Sequence, residues 1–242
     1  MINFFMTKIR LQVFLSRNGV CSRREAMSIV QSGAVMVNGK VVIEPSSPVD
    51  PERDQVRFRG KLIGPKPFEY VLLHKPSGYV STKEDSHAKK KVGDLLPSNL
   101  RHLNPVGRLD RETEGLLILT NDGDLLHRLT HPKFQVGKEY FVRVKGELDP
   151  VKQKDLEKGV VLEGKKTSPA EVFKIQTDGR TTDFHIVIHE GWNRQIRRMC
   201  EKIGFPVRYL KRIRHGKIEL GGLQKGHWRR LSKEEINILK AE

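Results

Sequence analysis

The stretch that decides the fold reads Asn104-Pro-Val-Gly-Arg-Leu-Asp-Arg-Glu-Thr-Glu-Gly-Leu-Leu-Ile-Leu-Thr-Asn-Asp-Gly-Asp124. Its polar and charged residues cluster between Arg108 and Glu114, and an aliphatic run from Leu116 to Leu119 follows. The aliphatic run predicts a buried strand, and Asn121-Asp-Gly123 predicts the turn that ends it. A compact polar loop that leads into a core strand is where enzymes commonly place chemistry. We therefore expect catalytic residues in this loop.

Several carboxylates compete for the catalytic role in this stretch. Asp122 is explained by the turn, and Asp124 by its place near the start of the next helix. Glu112 and Glu114 could form an acid–base pair of the glycosidase kind, although nothing else in the chain resembles a sugar-binding cleft. The residues alone favour Asp110 only modestly over these alternatives.

The charge of the chain predicts an anionic polymer as its partner. The 242 residues carry a net charge of +16, and the sequence pI is about 9.9. Residues 1–66 hold 11 Lys/Arg against 5 Asp/Glu, and residues 192–230 hold 12 against 2, whereas residues 67–191 are nearly balanced with 20 against 19. Two basic segments on either side of a neutral one are typical of nucleic-acid binding through phosphate contacts.

Other classes of protein are disfavoured by composition. The aliphatic run of four residues is far shorter than the roughly 18 that a membrane helix needs, and Met1–Met6 is too short for a signal-peptide core. The two cysteines, Cys21 and Cys200, form no Cys-x-x-Cys pair. His127 and His131 lack the glutamate of a zinc hydrolase motif. We expect a cytoplasmic protein without a metal site.

The N-terminal segment has the pattern of a small helix–hairpin module. Residues 8–17 predict a helix that turns Leu11, Phe14 and Leu15 inward, and Ser22-Arg-Arg-Glu25 has the spacing of a capping box for a second helix to about Ser32. Val35–Val42 predicts two strands around an Asn38-Gly39 turn. Two prolines in Gly64-Pro-Lys-Pro67 indicate a hinge. We therefore expect one domain over residues 8–66 and a second over residues 67–242.

The N-terminal segment resembles the RNA-binding module of the ribosomal-protein-S-four type. The matching text is Arg10-Leu-Gln12, Gly19-Val-Cys-Ser-Arg-Arg-Glu-Ala26 and Gly33-Ala-Val-Met-Val-Asn-Gly39. The resemblance implies that the helix pair docks on structured RNA. The cations expected to contact that RNA are Arg10, Arg17, Arg23, Arg24 and Lys40.

The remainder of the chain predicts an α+β domain around an antiparallel-rich mixed sheet. Predicted strands are Tyr70–His74, a returning strand Tyr79–Thr82, Lys138–Val144 and an alternating run from Phe184 to His189. A helix from about Arg194 to Ile203 has Ile196, Met199 and Ile203 as its apolar stripe, which places Arg194, Arg197 and Arg198 on another face.

Five segments in order resemble the pseudouridine synthases of the ribosomal small-subunit and large-subunit type (the RsuA family). They are Lys75-Pro-Ser-Gly78 with Ser81-Thr82, Gly107-Arg-Leu-Asp110, Gly115-Leu-Leu-Ile-Leu-Thr-Asn-Asp-Gly123, Lys138-Glu-Tyr-Phe-Val142 and Glu190-Gly-Trp-Asn-Arg-Gln-Ile-Arg-Arg-Met199. The resemblance implies that the chain converts a uridine of ribosomal RNA into pseudouridine. Asn193–Met199 is closer to the large-subunit members, although the sequence does not name the uridine.

The resemblance also assigns roles to individual residues. It makes Asp110 the catalytic carboxylate and pairs Arg197 with it, and it places Tyr140 against the target base, which must leave its stack to reach the pocket. Apart from the resemblance, we expect Arg108, next to the aspartate, to hold the flipped nucleotide or fill its vacated place, and the basic helix face predicts that Arg194 and Arg198 lie on phosphates. The isomerisation involves no redox change, so we expect no cofactor. We expect a monomer.

Some alternatives stay open at this stage. Trp192 stands where the family usually has a basic residue, and it either stacks on a base or covers the core. A non-catalytic RNA-binding assembly factor is one rival, which the intact Asp110, Tyr140 and Arg197 disfavour. A hydrolase of RNA glycosidic bonds is another, and it would release free uracil.

Overall fold

The computed structural model describes residues 8–82 and 89–241, so the opening Met1–Met6 segment lies outside the described residues. The chain divides into two compact units, one ending at Glu69 and the other beginning at Tyr70. Each unit has its own cluster of buried apolar side chains. The domain ranges expected from the sequence, 8–66 and 67–242, stay a prediction.

The N-terminal unit is built from a helix pair and short strands. Its elements are β1 (Ile9–Arg10), α1 (Leu11–Arg17), α2 (Arg23–Gln31), β2 (Val35–Val37), β3 (Lys40–Val41), β4 (Pro48–Val49), β5 (Val56–Phe58) and β6 (Lys61–Ile63). β3, β2, β5 and β6 form one antiparallel sheet in that order, and β1 pairs with β4. Leu11, Phe14 and Leu15 are buried between the helices and the sheet, as predicted.

Two local predictions for this unit are confirmed. The capping box is complete, because Glu25 N–H donates to the Ser22 hydroxyl and Ser22 N–H donates to the Glu25 carboxylate. Asn38 and Gly39 both have positive φ, at 51° and 79°, which a two-residue turn between twisted strands requires. The first helix begins at Leu11 rather than residue 8, because Ile9 and Arg10 pair with β4 instead.

The second unit is α+β, with helices around one large sheet. Its strands are β7 (Tyr70–Lys75), β8 (Asn104–Pro105), β9 (Glu114–Thr120), β10 (Lys138–Lys145), β11 (Val161–Leu162), β12 (Lys165–Lys166), β13 (Glu171–Thr177), β14 (Thr181–Ile188), β15 (Val207–His215), β16 (Ile218–Glu219) and β17 (Trp228–Arg230). Its α-helices are α3 (Gly123–Thr130), α4 (Pro150–Lys158), α5 (Gln195–Lys202) and α6 (Lys233–Ala241), and 3-10 turns span Val92–Leu95, Ser98–Leu100 and Pro132–Phe134.

The large sheet runs in the order β13-β14-β10-β15-β9-β7-β17, with β16 beside β15 and β8 beside β9. The pairings are antiparallel except that of β15 with β9, which is parallel, so the sheet is mixed and antiparallel-rich as predicted. At the parallel junction Gly115 lies opposite Arg212. A Cβ on Gly115 would collide with the Arg212 carbonyl oxygen, so only glycine lets these strands meet.

Strand predictions in the second unit differ in one place. The segment Tyr79–Thr82 was expected to return as a strand, and this is wrong: among residues 8–82 and 89–241 it makes a single isolated bridge, between Val80 and Lys91. The physical reason is that Gly78 N–H donates to the carbonyl of Arg111 and the Ser81 hydroxyl to that of Leu109, so the segment bonds to the 107–113 loop instead. No helix among the described residues is long and apolar enough to span a membrane.

Candidate active site

The ammonium of Lys75, the last residue of β7, holds the loop between β8 and β9 in place. The Lys75 side chain is fully buried, and its Nζ donates to the backbone carbonyls of Pro76 (3.1 Å), Asp110 (3.1 Å), Arg111 (3.4 Å) and Thr113 (2.8 Å). Burial lowers the pKa of Lys75 to about 8, while the carboxylate of Asp110 opposes that shift. A buried cation therefore fixes the backbone from Asp110 to Thr113.

A second anchor holds the loop from the side. Ser81 is buried, and its hydroxyl donates to the carbonyl of Leu109 at 3.0 Å and accepts from Leu109 N–H at 3.1 Å. Thr113 N–H donates back to the carbonyl of Asp110 at 3.1 Å, which closes a turn. These bonds leave little freedom in the main chain at Asp110.

A cavity of about 70 Å³ opens beside Asp110. Its lining also includes Arg108, Thr113, Tyr140 and Trp192. Tyr140 is 7% exposed and comes from β10, where it pairs with Ile186 and Arg212. The structure thus brings together Asp110, Tyr140 and Arg108, three of the four residues expected in the site.

The fourth residue, Arg197 on α5, reaches the loop in a different way from the one expected. Its Nη2 donates to the backbone carbonyl of Glu112 at 3.3 Å, and within residues 8–82 and 89–241 no ion pair joins it to the Asp110 carboxylate. Burial lowers the pKa of the Arg197 guanidinium, and so does the nearby charge of Arg194, whereas the carboxylates of Glu112 and Asp110 oppose this. Arg197 therefore places a positive charge near Asp110, while its hydrogen bond goes to the loop carbonyl of Glu112.

Glu112 joins the loop to the start of α5. Arg194 Nη1 donates to its carboxylate at 2.7 Å, and this hydrogen bond lowers the pKa of Glu112. The sequence suggested that Arg194 shares a helix face with Arg197, and this is wrong. Arg194 precedes α5 and has a left-handed φ of 51°. Among the described residues, neither Glu112 nor Glu114 lines the cavity of Asp110, so the structure brings no acid–base pair of glutamates to it.

The loop before α5 is shaped by a buried glutamine. Gln195 is 3% exposed; its Oε1 accepts from Trp192 N–H at 3.0 Å, and its Nε2 donates to Glu190 at 2.6 Å. Glu190 also accepts from the backbone and the hydroxyl of Ser168. Trp192 is half-buried, packs against the core and lines the cavity.

Three buried polar atoms near the site have no hydrogen-bond partner among the described residues: Thr113 Oγ1, Arg197 Nε and Arg212 Nη2. Arg212 is 1% exposed, and its Nε donates to the carbonyl of Leu116 at 2.8 Å. Buried polar atoms without partners are rare in folded proteins, so each one needs an explanation. Thr113 is the one of the three that lines the cavity.

The residues expected to contact RNA differ in their exposure and in their partners. Arg10, Arg23, Arg24 and Lys40 are exposed in the N-terminal unit, and Arg17 stacks 3.8 Å over the Phe68 ring. In the second unit Arg198 pairs with the exposed Glu163 at 2.8 Å. An ion pair with an exposed partner is weak, so this pairing leaves Arg198 able to bind a phosphate.

Sequence reasoning missed the supports of the site. Lys75 ends β7 shortly after the apolar run Val71-Leu-Leu73, and a charged residue at that place was a usable signal of a buried partner. Ser81 and Gln195 lie in segments that match the family, but their supporting contacts with Leu109, Trp192 and Glu190 were not predicted. No group of three or more metal-ligating side chains occurs in the part of the chain that the structure describes.

Comparison with known proteins identifies two family matches in this chain. The RNA pseudouridylate synthase family matches residues 69–202, and the S4 domain matches residues 9–56. The first match covers the loop of Asp110, Tyr140 and α5, and the second covers the helix pair and hairpin of the N-terminal unit.

Relatives match over nearly the whole length. A protein of Bacillus subtilis (strain 168) named ribosomal large subunit pseudouridine synthase B is 40% identical over 96% of each chain. One of the same name from Vibrio cholerae is 38% identical over 96% of this chain and 74% of its own. A crystal structure of a pseudouridylate synthase superposes with a TM-score of 0.68 at 29% identity, covering 96% of this chain and 99% of that one. The chain therefore belongs to the RNA pseudouridylate synthase family and carries an S4 domain ahead of its catalytic unit.

Proposed function

We propose that this enzyme converts one uridine of large-subunit ribosomal RNA into pseudouridine, with Asp110 as the catalytic carboxylate. The observation that carries the proposal is the cavity in which Asp110 and Tyr140 meet, on a loop fixed by Lys75. Relatives named for the large ribosomal subunit support the choice of RNA. The net charge of +16 suits a polyanionic substrate.

The reaction breaks the bond between uracil N1 and ribose C1′, turns the base, and forms a bond from C5 to C1′. The proton on C5 is lost and N1 gains one, so atoms balance and no electrons enter or leave. C1′ becomes electron-poor as the first bond breaks. Asp110 acts there by attacking C1′, by removing a neighbouring proton, or by stabilising the positive charge.

The neighbours of Asp110 have supporting roles in this proposal. Arg197 and the buried Lys75 place positive charge near the Asp110 carboxylate. Tyr140 stacks on the uracil, and its hydroxyl joins proton transfers. The unpartnered Thr113 hydroxyl in the cavity hydrogen-bonds to a polar edge of the base. Arg108 holds the flipped nucleotide or fills its vacated place.

The rest of the RNA contacts the two basic segments. The S4 domain binds through Arg10, Arg17, Arg23, Arg24 and Lys40, and Arg194 and Arg198 bind phosphates beside the catalytic cavity. The enzyme acts as a monomer in the cytoplasm during ribosome biogenesis, and it uses no cofactor because the isomerisation is redox-neutral.

The test is to map pseudouridine in ribosomal RNA from cells with and without this protein, and to repeat the mapping with purified protein and unmodified RNA. One uridine of the large-subunit RNA should lose its pseudouridine in the deletion strain and regain it in vitro. Unchanged pseudouridine in both subunits would refute the enzyme assignment and favour an assembly factor. Release of free uracil would indicate a hydrolase.

A further inference from the structure

A second cavity adjoins the one that holds Asp110. Its volume is about 370 Å³, and it shares Arg108, Asp110 and Trp192 with the smaller cavity. Arg111 and Asn193 complete one side of it. The smaller cavity contains Tyr140 and is the place proposed for the target uracil, so the reaction leaves the larger one without an occupant.

Trp192 lies at the junction of the two cavities and is firmly supported. Its backbone N–H donates to Gln195, whose own amide is anchored on Glu190. Trp192 packs against the core and is only partly buried. A fixed and partly exposed aromatic ring beside a cavity is the arrangement on which proteins stack an unpaired base.

Cationic groups accompany the ring. Arg108 and Arg111 are exposed, both line the larger cavity, and no acceptor for either guanidinium occurs among residues 8–82 and 89–241. A guanidinium offers several N–H donors in a planar fork that suits phosphate oxygens. An aromatic surface next to two uncommitted guanidiniums matches the chemistry of a nucleotide.

We propose that the larger cavity binds the nucleotide next to the target uridine, with its base stacked on Trp192 and with the phosphate that links it to the target held by Arg108 and Arg111. This inference rests on the proposed function, because it takes the smaller cavity to hold the target. In this proposal Trp192 helps to select which uridine is accepted, because it contacts the base next to that uridine.

The test uses the fluorescence of Trp192 in a full-length Trp228→Phe background, which removes the other tryptophan. Asp110→Asn is added so that the RNA is not turned over. The probes are RNA pentanucleotides with a central uridine and two adenosines on each side, and versions with an abasic site at the centre, at the 5′ neighbour or at the 3′ neighbour. Fluorescence reports contact and not turnover, so the result does not depend on whether the RNA is a substrate.

The intact probe should quench Trp192, and the abasic centre should preserve the quenching. An abasic site at one of the two neighbours should abolish it and weaken binding about tenfold, as expected for loss of one stacked base. Trp192→Leu should weaken binding of the intact probe by the same factor and leave the abasic-neighbour probe unaffected, whereas Trp192→Phe should retain most affinity. Three results would overturn the proposal. The quenching of Trp192 could be lost only with the abasic-centre probe, it could persist with an abasic site at either neighbour, or the intact probe could fail to quench Trp192. Failure of the proposed function would appear instead as unchanged pseudouridine in ribosomal RNA.

Discussion

The ammonium of Lys75 lies 3.1 Å from the backbone carbonyl oxygen of Asp110. It is one of four carbonyls that the same Nζ contacts, and all of them belong to the turn after β7 or to the loop before β9. The loop therefore depends on a buried positive charge for its shape. Because burial lowers the pKa of that charge to about 8, the support weakens within an accessible pH range.

The first prediction is a loss of rate above pH 8. A neutral Lys75 amine has one N–H donor fewer and no charge to balance Asp110, so the single-turnover rate at saturating enzyme should fall as pH rises from 7 to 9. Lys75→Met should react about 10- to 100-fold more slowly, because a small displacement of the catalytic group is costly, and its rate should vary less with pH. A wild-type rate that stays level to pH 9 would contradict this role.

Lys138 provides the matched control. Burial also lowers its pKa to about 8, but its Nζ donates to the carbonyl of Val136. Lys138→Met should therefore keep the wild-type fall in rate.

The stability of the protein should instead increase with pH. Between pH 8 and 10.5 these two lysines hold a proton only in the unfolded chain, so the free energy of unfolding rises as the pH rises. Thermal unfolding across that range measures the effect.

The second prediction separates two arginines on α5. Arg197→Met should slow the chemical step more than it weakens binding, because its guanidinium bonds to the loop at Glu112 and places charge near Asp110. Arg198→Ala should weaken RNA binding and flatten its salt dependence by about one unit or less, with the chemical step nearly intact. Single-turnover rates and binding titrations at several salt concentrations distinguish these effects. If both variants lose affinity alone, Arg197 is a phosphate contact.

Much of the fold was predictable because its signals are local. The capping box at Ser22, the Asn38-Gly39 turn and the aliphatic strand before Thr120 depend on residues within a few positions of each other. Such patterns favoured Asp110 over Glu112 only modestly, and the family resemblance decided between them. The structure adds that Asp110 lines the cavity and Glu112 does not.

The features that escaped prediction depend on contacts between distant residues. Lys75 bonds to a carbonyl 35 positions away, and Ser81 to one 28 positions away. The same Ser81 contact explains why Tyr79–Thr82 is not a strand, although its residues suit one. The pairing of Arg194 with Glu112 spans 82 positions, so a helical projection could not show it.

The third prediction concerns the N-terminal unit. Removal of residues 1–66 should leave a folded catalytic unit, because the large apolar cluster contains only residues from 71 onward. The efficiency kcat/KM on a ribosomal RNA fragment should fall about tenfold or more at physiological salt, since the S4 domain supplies phosphate contacts. The rate at saturating RNA should change little. Unchanged efficiency in steady-state kinetics would show that the S4 domain does not position this substrate.

The fourth prediction is that Asp110→Asn abolishes pseudouridine formation and leaves the protein folded and able to bind RNA. The backbone of residue 110 is held by Lys75 and Thr113 through its carbonyl, so the amide side chain leaves the loop in place. Asparagine has no negative charge with which to attack or stabilise an electron-poor C1′, so the rate should fall by about several orders of magnitude. The melting temperature should stay the same or rise slightly, because a charge held for function is an energetic burden.

The matched control for this carboxylate is Glu112→Gln, two residues along the same loop. Glu112 pairs with Arg194 through a half-exposed side chain, and exposed ion pairs contribute about 0–1 kcal/mol. The variant keeps the carbonyl that Arg197 uses, so it should retain most activity. Pseudouridine is measured by mass analysis of purified RNA after reaction with each variant. Substantial turnover by Asp110→Asn, or a loss confined to Glu112→Gln, would mean that another carboxylate performs the chemistry.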